Sequence, residues 1–298
     1  MKDVTKKNTF PGLTIKAPAK INLFLKVLNR RPDGYHEIES LMQKIDLCDI
    51  LHLSRHGEDI SLSCPETTLP EDQGNIIYRA AQAFFSATGI KAGIKVILEK
   101  KIPIAAGLGG GSSDAAAVVI GLNTLLNSNL GREELLDIAS PLGADVPFFV
   151  EAYSAAMATG IGDKLEQVKS LEGFSIVLVN PGFGVSTKWV YENFPLTSNS
   201  NPYILARGQK VAENFHAAAP GLYEELGNDL EVVTMKRYPE IGDIKKELKK
   251  DGAAASLMSG SGPTVFGLFL SEEDALRSFT QLRKKHGGNV FLTKPYIP

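Results

Sequence analysis

The sequence predicts an α+β protein of two domains, divided near residues 165/166, and three observations carry that reading. Helical and strand patterns are mixed along the chain, and two strand patterns of the second half, AAASLM and TVFGLFL, are joined as a hairpin through GSGP, Gly260 to Pro263. The chain turns polar around residues 165–173 and then begins a new strand, FSIVLVNP, with its own run of elements. At 298 residues, 43% of them hydrophobic, it is long enough to bury two ordinary cores.

Residues 1–11 read as a short tail. From Leu13 to Leu28, Ile15, Ala17, Ile21, Leu23, Leu25 and Val27 alternate as in a strand, with Pro18 as a break. Lys20 and Asn22 share one strand face, opposite Ile21, Leu23 and Leu25, and are either solvated or line a cleft. Pro32-Asp33-Gly34 signals a turn, and Tyr35-His36 follows it as either a packed turn exit or a binding pair. Asn75 is a helix N-cap candidate; Ile76, Ile77, Ala80, Ala81, Phe84 and Phe85 keep helical spacing to Gly89. GIKVILEKKIP is strand-like, REELLDIASPLG is helical, and GADVPFFVEAYSAAMATGIGDKLEQV leads into glycine-punctuated strands. In the second half EIGDIKKELKKDG and SEEDALRSFTQLRKKHG are helical and NVFLTK is a strand.

A formal charge of −2 and a pI near 6.2 give no bulk attraction to nucleic acid or an acidic membrane. Two cysteines, Cys48 and Cys64, exclude a disulfide framework and a CxxC or four-ligand zinc pattern, and suit a reducing cytoplasm. The N-terminus lacks the apolar stretch of a signal peptide, and no run is long enough to cross a bilayer.

The most informative segment is PIAAGLGGGSSDAAA. Gly107, Gly109, Gly110 and Gly111 lie within five positions, and Ser112, Ser113 and Asp114 open an alanine-rich helix. Without Cβ atoms the backbone N–H groups can approach an anion closely, and the helix N-terminus adds about half a positive charge. Phosphate is the natural guest; a flexible linker is the bland alternative. The loop lacks the lysine of GxxxxGK[ST], and no acidic residue closes a βαβ unit behind it, so neither a P-loop nor a Rossmann fingerprint fits.

Pro103, Ile104, Ala105, Ala106, Gly107, Leu108, Gly109, Gly110, Gly111, Ser112 and Ser113 together resemble the phosphate loop of the GHMP kinases, the family of galactokinase, homoserine kinase, mevalonate kinase and phosphomevalonate kinase. APAKINLFLKVLNRRPDGYHEIESLM is similar to the N-terminal signature of the branch acting on cytidine diphosphate-linked methylerythritol. GADVPFF resembles its catalytic-aspartate motif, and MSGSGPTVFGLF the superfamily's C-terminal glycine motif. These motifs span residues 17–269. The resemblance implies a two-domain fold: a ribosomal S5 domain 2-like, ATP-binding domain over residues 1–165 and a ferredoxin-like α/β-sandwich substrate domain over 166–298.

It also implies roles. Asp145 would be the general base toward the acceptor hydroxyl, although from the residues alone it is a helix cap or turn residue. Lys20 would stand beside it as a fixed charge, and Asn22 would hydrogen-bond the substrate. Tyr35 would stack on the pyrimidine and His36 would bond its polar edge, with Tyr191 on the opposite ring face and Trp189 as the competing aromatic. ATP and Mg²⁺ are the implied cosubstrate and cation, the latter held by phosphate oxygens with Ser112 or Ser113; no metal-ligating carboxylate is singled out. Gly260 to Pro263 either wall the phosphate site or form an ordinary turn. The enzyme would be cytoplasmic, a monomer or homodimer, with no nucleic-acid or membrane partner. Adenine contacts stay unassigned. The rivals are a homoserine- or mevalonate-type kinase, a non-catalytic sensor that has lost its acid–base pair, and an RNA binder, which the charge balance disfavours.

Overall fold

The computed structural model describes residues 12–195 and 222–297; the N-terminal tail read from residues 1–11 lies outside them. A long hairpin forms the spine: β1 (Leu13–Arg30) and β2 (His36–Arg55) pair antiparallel along their length. Its turn is the one signalled by Pro32-Asp33-Gly34. Gly34 takes φ +91, and Asp33 Oδ1 accepts from the Tyr35 N–H at 3.1 Å. β1 is not broken at Pro18, as the sequence suggested. The strand continues and the irregularity becomes a register shift between Pro18 and Ala19, because a bulge accommodates a residue without an N–H.

Around the spine come β3 (Ile60–Ser63), α1 (Ile76–Thr88), β4 (Ile94–Glu99), α2 (Gly110–Leu126), α3 (Arg132–Ala139), α4 (Val146–Val150), β5 (Ala155–Thr159) and β6 (Lys164–Gln167). α1 starts and stops where expected: Asn75 Oδ1 accepts from Ile77 N, and Gly89 closes the helix in the left-handed region. The segment after Gly143 does not pass straight into strands. It first makes α4, since Pro147 sits in the first helical turn, where no intrahelical N–H is needed.

Between Gln167 and Ser175 the chain passes to a second sheet, and the remaining elements are β7 (Ser175–Val179), α5 (Thr187–Glu192), α6 (Leu222–Glu225), β8 (Gly227–Asn228), which returns to pair with β1, α7 (Glu231–Arg237), α8 (Glu240–Lys250), β9 (Ala255–Met258), β10 (Val265–Phe269), α9 (Glu272–His286) and β11 (Val290–Thr293). The first sheet runs β3-β4-β2-β1-β8, with β5 on β2 and β6 on β5; the second runs β11-β7-β10-β9, all antiparallel. Numbered within that unit the order is 4-1-3-2 with helices between strands 1 and 2 and between 3 and 4, the split β-α-β arrangement of a ferredoxin-like sandwich.

The two sheets face each other. Ala19, Ile21, Leu23 and Leu41 of the first meet Ile176, Leu178, Leu257, Phe266 and Leu268 of the second in one apolar cluster. The alternate residues Val177, Val179, Val265 and Phe269 turn outward, under α8 and α9. The outer face of the first sheet lies under α1, α2 and α4. The result is an α/β/β/α stack in which the middle of β1 is covered on both faces, so Lys20 and Asn22 are buried there while Thr14, Lys16, Asn29 and Arg30 toward its ends stay exposed. Among the described residues no helix is long and apolar enough to cross a membrane.

Candidate active site

The glycine loop lies between β4 and α2. Ala106 and Leu108 anchor it in the core between the sheets, leaving Ile104 and Ala105 exposed and the glycine backbone accessible. Lys20 N donates to Leu108 O at 2.9 Å, fixing the loop to β1. Gly107 has φ +77, and a Cβ there would meet Ser259 O at 2.1 Å; Gly109 has φ +68, and a Cβ there would meet the Phe149 ring at 2.9 Å and Lys20 Cγ at 3.0 Å. Both positions therefore require glycine twice over, for conformation and for space. Gly109 is the N-cap of α2 and supplies no capping side chain, so the first-turn N–H groups of Gly110, Gly111 and Ser112 are open to an anion. The GSGP turn packs against this loop: Ser259 Oγ donates to Gly107 O at 2.9 Å, and Thr264 N to Ala106 O at 3.3 Å.

Lys20 and Asn22 are 5% and 2% exposed, so neither is solvated. Lys20 Nζ donates to Asn22 Oδ1 at 2.6 Å, Asn22 Nδ2 to Ser40 Oγ at 2.8 Å, and Ser40 Oγ to Phe24 O at 2.8 Å. This chain of bonds fixes which way the Asn22 amide points and leaves it one N–H and one lone pair for anything else. Lys20 Nζ also stands 3.6 Å from Asp145 Oδ2. Asp145 occupies the N-cap of α4, yet its side chain makes no capping bond, and its carboxylate is left for Lys20 and for a ligand.

At the other end of the site His36 is buried and stacks on Tyr191, with ring centroids 5.2 Å apart and planes at 29°. Burial, and then the Arg30 charge, hold the imidazole pKa below its usual value. Neutral His36 offers one donor and one acceptor. Burial also pushes up the pKa of the Tyr191 phenol, and the negative charge of Asp145 adds to the rise. Trp189 instead lies against Arg237, whose guanidinium carbon is 4.3 Å from a Trp189 ring centre. Tyr35 is 61% exposed at the hairpin tip and takes no part in the His36–Tyr191 stack.

Ser112 is half-buried, while Ser113 Oγ is buried without a hydrogen-bond partner in the first turn of α2. An orphaned hydroxyl beside a bare helix N-terminus fits a phosphate with its cation. Among the described residues no group of three or more His, Cys, Asp or Glu side chains is placed to hold a metal by itself.

The sequence reading did not foresee the supports of the loop. Asp49, Lys100 and Asp114 form a buried cluster beneath it, with Lys100 Nζ 2.5 Å from Asp49 Oδ2 and 2.7 Å from Asp114 Oδ2. Asp49 Oδ1 also accepts from the N–H groups of Lys101 and Ile102, at 2.5 and 2.8 Å. Asp114, placed by sequence at the mouth of the helix, points into this cluster; burial pushes its carboxyl pKa up, opposed by Lys100 and reinforced by Asp49. No local pattern could have joined residues 49, 100 and 114.

Comparison with known proteins bears on the same segments. The GHMP kinases N terminal domain matches residues 75–152 and the GHMP kinases C terminal domain residues 210–288. A 4-diphosphocytidyl-2-C-methyl-D-erythritol kinase of Syntrophotalea carbinolica is 49% identical over 280 residues, 94% of this chain and 97% of that protein. The crystal structure of a 4-(cytidine 5'-diphospho)-2C-methyl-D-erythritol kinase superposes with a TM-score of 0.79 at 33% identity, covering 94% of this chain and 98% of the other. A homoserine kinase from Cytophaga hutchinsonii shares the fold, with a TM-score of 0.74 at 19% identity over 95% of this chain and 94% of its own. With its glycine loop, its two-sheet stack and these relatives, the chain belongs to the GHMP kinases, in the family of the 4-diphosphocytidyl-2-C-methyl-D-erythritol kinases.

Proposed function

We propose that this chain transfers the γ-phosphoryl group of ATP to the 2-hydroxyl of 4-diphosphocytidyl-2-C-methyl-D-erythritol, giving its 2-phosphate in the non-mevalonate route to isoprenoid precursors, with Asp145 as general base and Lys20 as fixed cation. The observation that carries this reading is the Lys20–Asp145 pair, 3.6 Å apart, at the edge of the glycine loop that meets the Lys20 side chain at Gly109. Asp145 takes the hydroxyl proton as the new O–P bond forms and the bond to the departing ADP breaks. Lys20, oriented by Asn22 and Ser40, balances the charge that develops on the transferring oxygens. The bare N-terminus of α2 and the backbone of residues 107–112 hold the nucleotide phosphates. Ser112 and Ser113 are the hydroxyls that would join the shell of a Mg²⁺ bound with the nucleotide, and that cation would supply neutralisation of phosphate charge.

His36 and Tyr191 hold the cytosine, His36 through its polar ring edge and Tyr191 by stacking, with Tyr35 free to close over the opposite face from the hairpin tip. Asn22 serves the substrate through its remaining N–H. Two free buried cysteines and two nucleotide substrates suit the cytoplasm, with no nucleic-acid or membrane partner, and either a monomer or a homodimer serves.

ADP release is measured with Mg-ATP and, separately, the cytidyl substrate, homoserine and mevalonate. Turnover of the cytidyl substrate alone is expected. Turnover of another alcohol, or ATP binding without any turnover by folded protein, would overturn the reading.

A further inference from the structure

The proposed transfer makes no use of Lys44, a buried lysine on the strand paired with that of Lys20. On β2 it lies directly opposite Lys20 of β1 in the antiparallel register. Their side chains therefore leave the sheet on one face, with Cβ atoms about 5 Å apart. Lys44 is 3% exposed. Its Nζ lies 5.0 Å from the centroid of the Phe148 ring and donates to the main-chain oxygen of Glu151 at 2.6 Å.

Glu151 is the C-cap of α4, and Asp145 is its N-cap. The two lysines of one cross-strand pair thus reach the two ends of one helix. Five helical residues span about 7.5 Å at 1.5 Å per residue, a distance two neighbouring lysine side chains can bracket. The Glu151 carboxylate is not the partner of Lys44. It is held by Arg132 of α3, through Nε at 2.9 Å and Nη2 at 2.5 Å.

A lysine here is a poor choice for stability alone. Burial pulls its pKa down to about 8 despite the opposing effect of the Glu151 charge. A like charge, Lys20, stands across the strand pair. An unbranched apolar side chain would fill the space beside Phe148 without a buried charge.

We propose that Lys44, as an ammonium, is a positioning residue for phosphoryl transfer: it clamps the C-terminal end of α4 so that Asp145 keeps its place against Lys20 and the glycine loop. The inference rests on the reading of Asp145 as the base. The charged and titratable groups on the elements packed around Lys44 are Glu151 on α4, Arg132 of α3 on the Glu151 carboxylate, Lys20 on β1, Asp145 at the far end of α4, and Tyr153 beside Phe148. Tyr296 meets it through a main-chain bond to Lys44 O. All of these remain in a Lys44→Met variant, so its pH profile isolates the one group removed.

The test measures kcat and both KM values by ADP release from pH 6 to 10 for wild type, Lys44→Met, Asp145→Asn and the double variant, with unfolding midpoints for each. The expected result for Lys44→Met at pH 7 is a kcat about tenfold lower with both KM values within about twofold, in a protein at least as stable as wild type. Wild-type kcat is expected to fall through an inflection near pH 8 that the Met variant lacks. In the Asp145→Asn background the second substitution should cost nothing further. Wild-type kcat in Lys44→Met, alongside an inactive Asp145→Asn, would overturn the positioning role alone. A kcat loss that comes with lower stability and raised KM values would also overturn it, in favour of a packing role. Full activity in Asp145→Asn would overturn the base assignment itself, and the clamp with it.

Discussion

Replacing Lys44 by methionine should stabilise the protein at neutral pH and lose that advantage in alkali. A fall in pKa from 10.5 to about 8 on folding corresponds to about 3 kcal/mol, at about 1.4 kcal/mol per pH unit, held against the folded state while both states are protonated. That cost is fully present below pH 8. Between about pH 8 and 10.5 the folded protein gives up the proton before the unfolded chain does, so wild-type stability rises with pH; above that window the cost is gone. Methionine removes the charge and leaves the Glu151 carbonyl without its donor, a loss of about 1–2 kcal/mol. The net expectation at pH 7 is a gain of about 1–2 kcal/mol, or about 2–4 °C in Tm for a chain of this size. Urea and thermal unfolding of both proteins at pH 6.5, 7.5, 9 and 10 would show the methionine variant ahead at first and its lead gone by pH 10, where less than about 1 kcal/mol of the charge cost is left against the lost hydrogen bond. A variant less stable than wild type at pH 7, or a gap that does not change with pH, would refute the reasoning.

Gly107→Ala places a methyl 2.1 Å from Ser259 O at a backbone angle of φ +77, so the loop must shift and the Ser259–Gly107 bond must break. Nucleotide affinity, read by calorimetry, is expected to fall at least about tenfold, or about 1.4 kcal/mol. Lys100→Met leaves Asp49 and Asp114 buried without their cation and should cost about 3–5 kcal/mol in urea unfolding. Because burial raises the Asp114 pKa, stability from that group is present at low pH and lost as pH rises, so the variant should be less impaired at pH 5 than at pH 8. Tyr191→Ala removes the ring stacked on His36; KM for the cytidyl substrate is expected to rise about tenfold or more, from about 1–3 kcal/mol of stacking, with KM for ATP unchanged.

Much of the fold was legible because local rules agreed with the tertiary structure. Asn75 and Gly89 bound α1 by capping chemistry that needs no knowledge of the rest of the chain. The strand-like segments FSIVLVNP, AAASLM and TVFGLFL located β7, β9 and β10, whose two faces are both apolar because each is covered. Alternation along β1 left Lys20 and Asn22 open between solvent and a cleft, because nothing in the local pattern shows that α2 and α4 roof that side of the strand. Two-residue β8 is too short for any pattern, yet it matters to the site. Asn228 Nδ2 bonds Met258 O at 2.8 Å and Gly260 O at 2.7 Å, holding the turn against the glycine loop. Asp145 was readable from the residues only as a helix cap or turn residue; what separates it from a cap is a side chain that makes no capping bond, a fact of geometry. The Asp49–Lys100–Asp114 cluster and the Lys44 clamp join residues up to 107 positions apart and leave no mark on any local window.

The central claim is that Lys20 and Asp145 carry the transfer beside the glycine loop, and it is tested most directly by the steady-state rate of Asp145→Asn with Mg-ATP and the cytidyl substrate. The substitution keeps shape and removes the base, so kcat should fall by about 10²–10⁴ while both KM values and the unfolding midpoint stay near wild type. A variant that keeps most of its kcat would contradict the account, because the carboxylate facing Lys20 would then have no part in the chemistry.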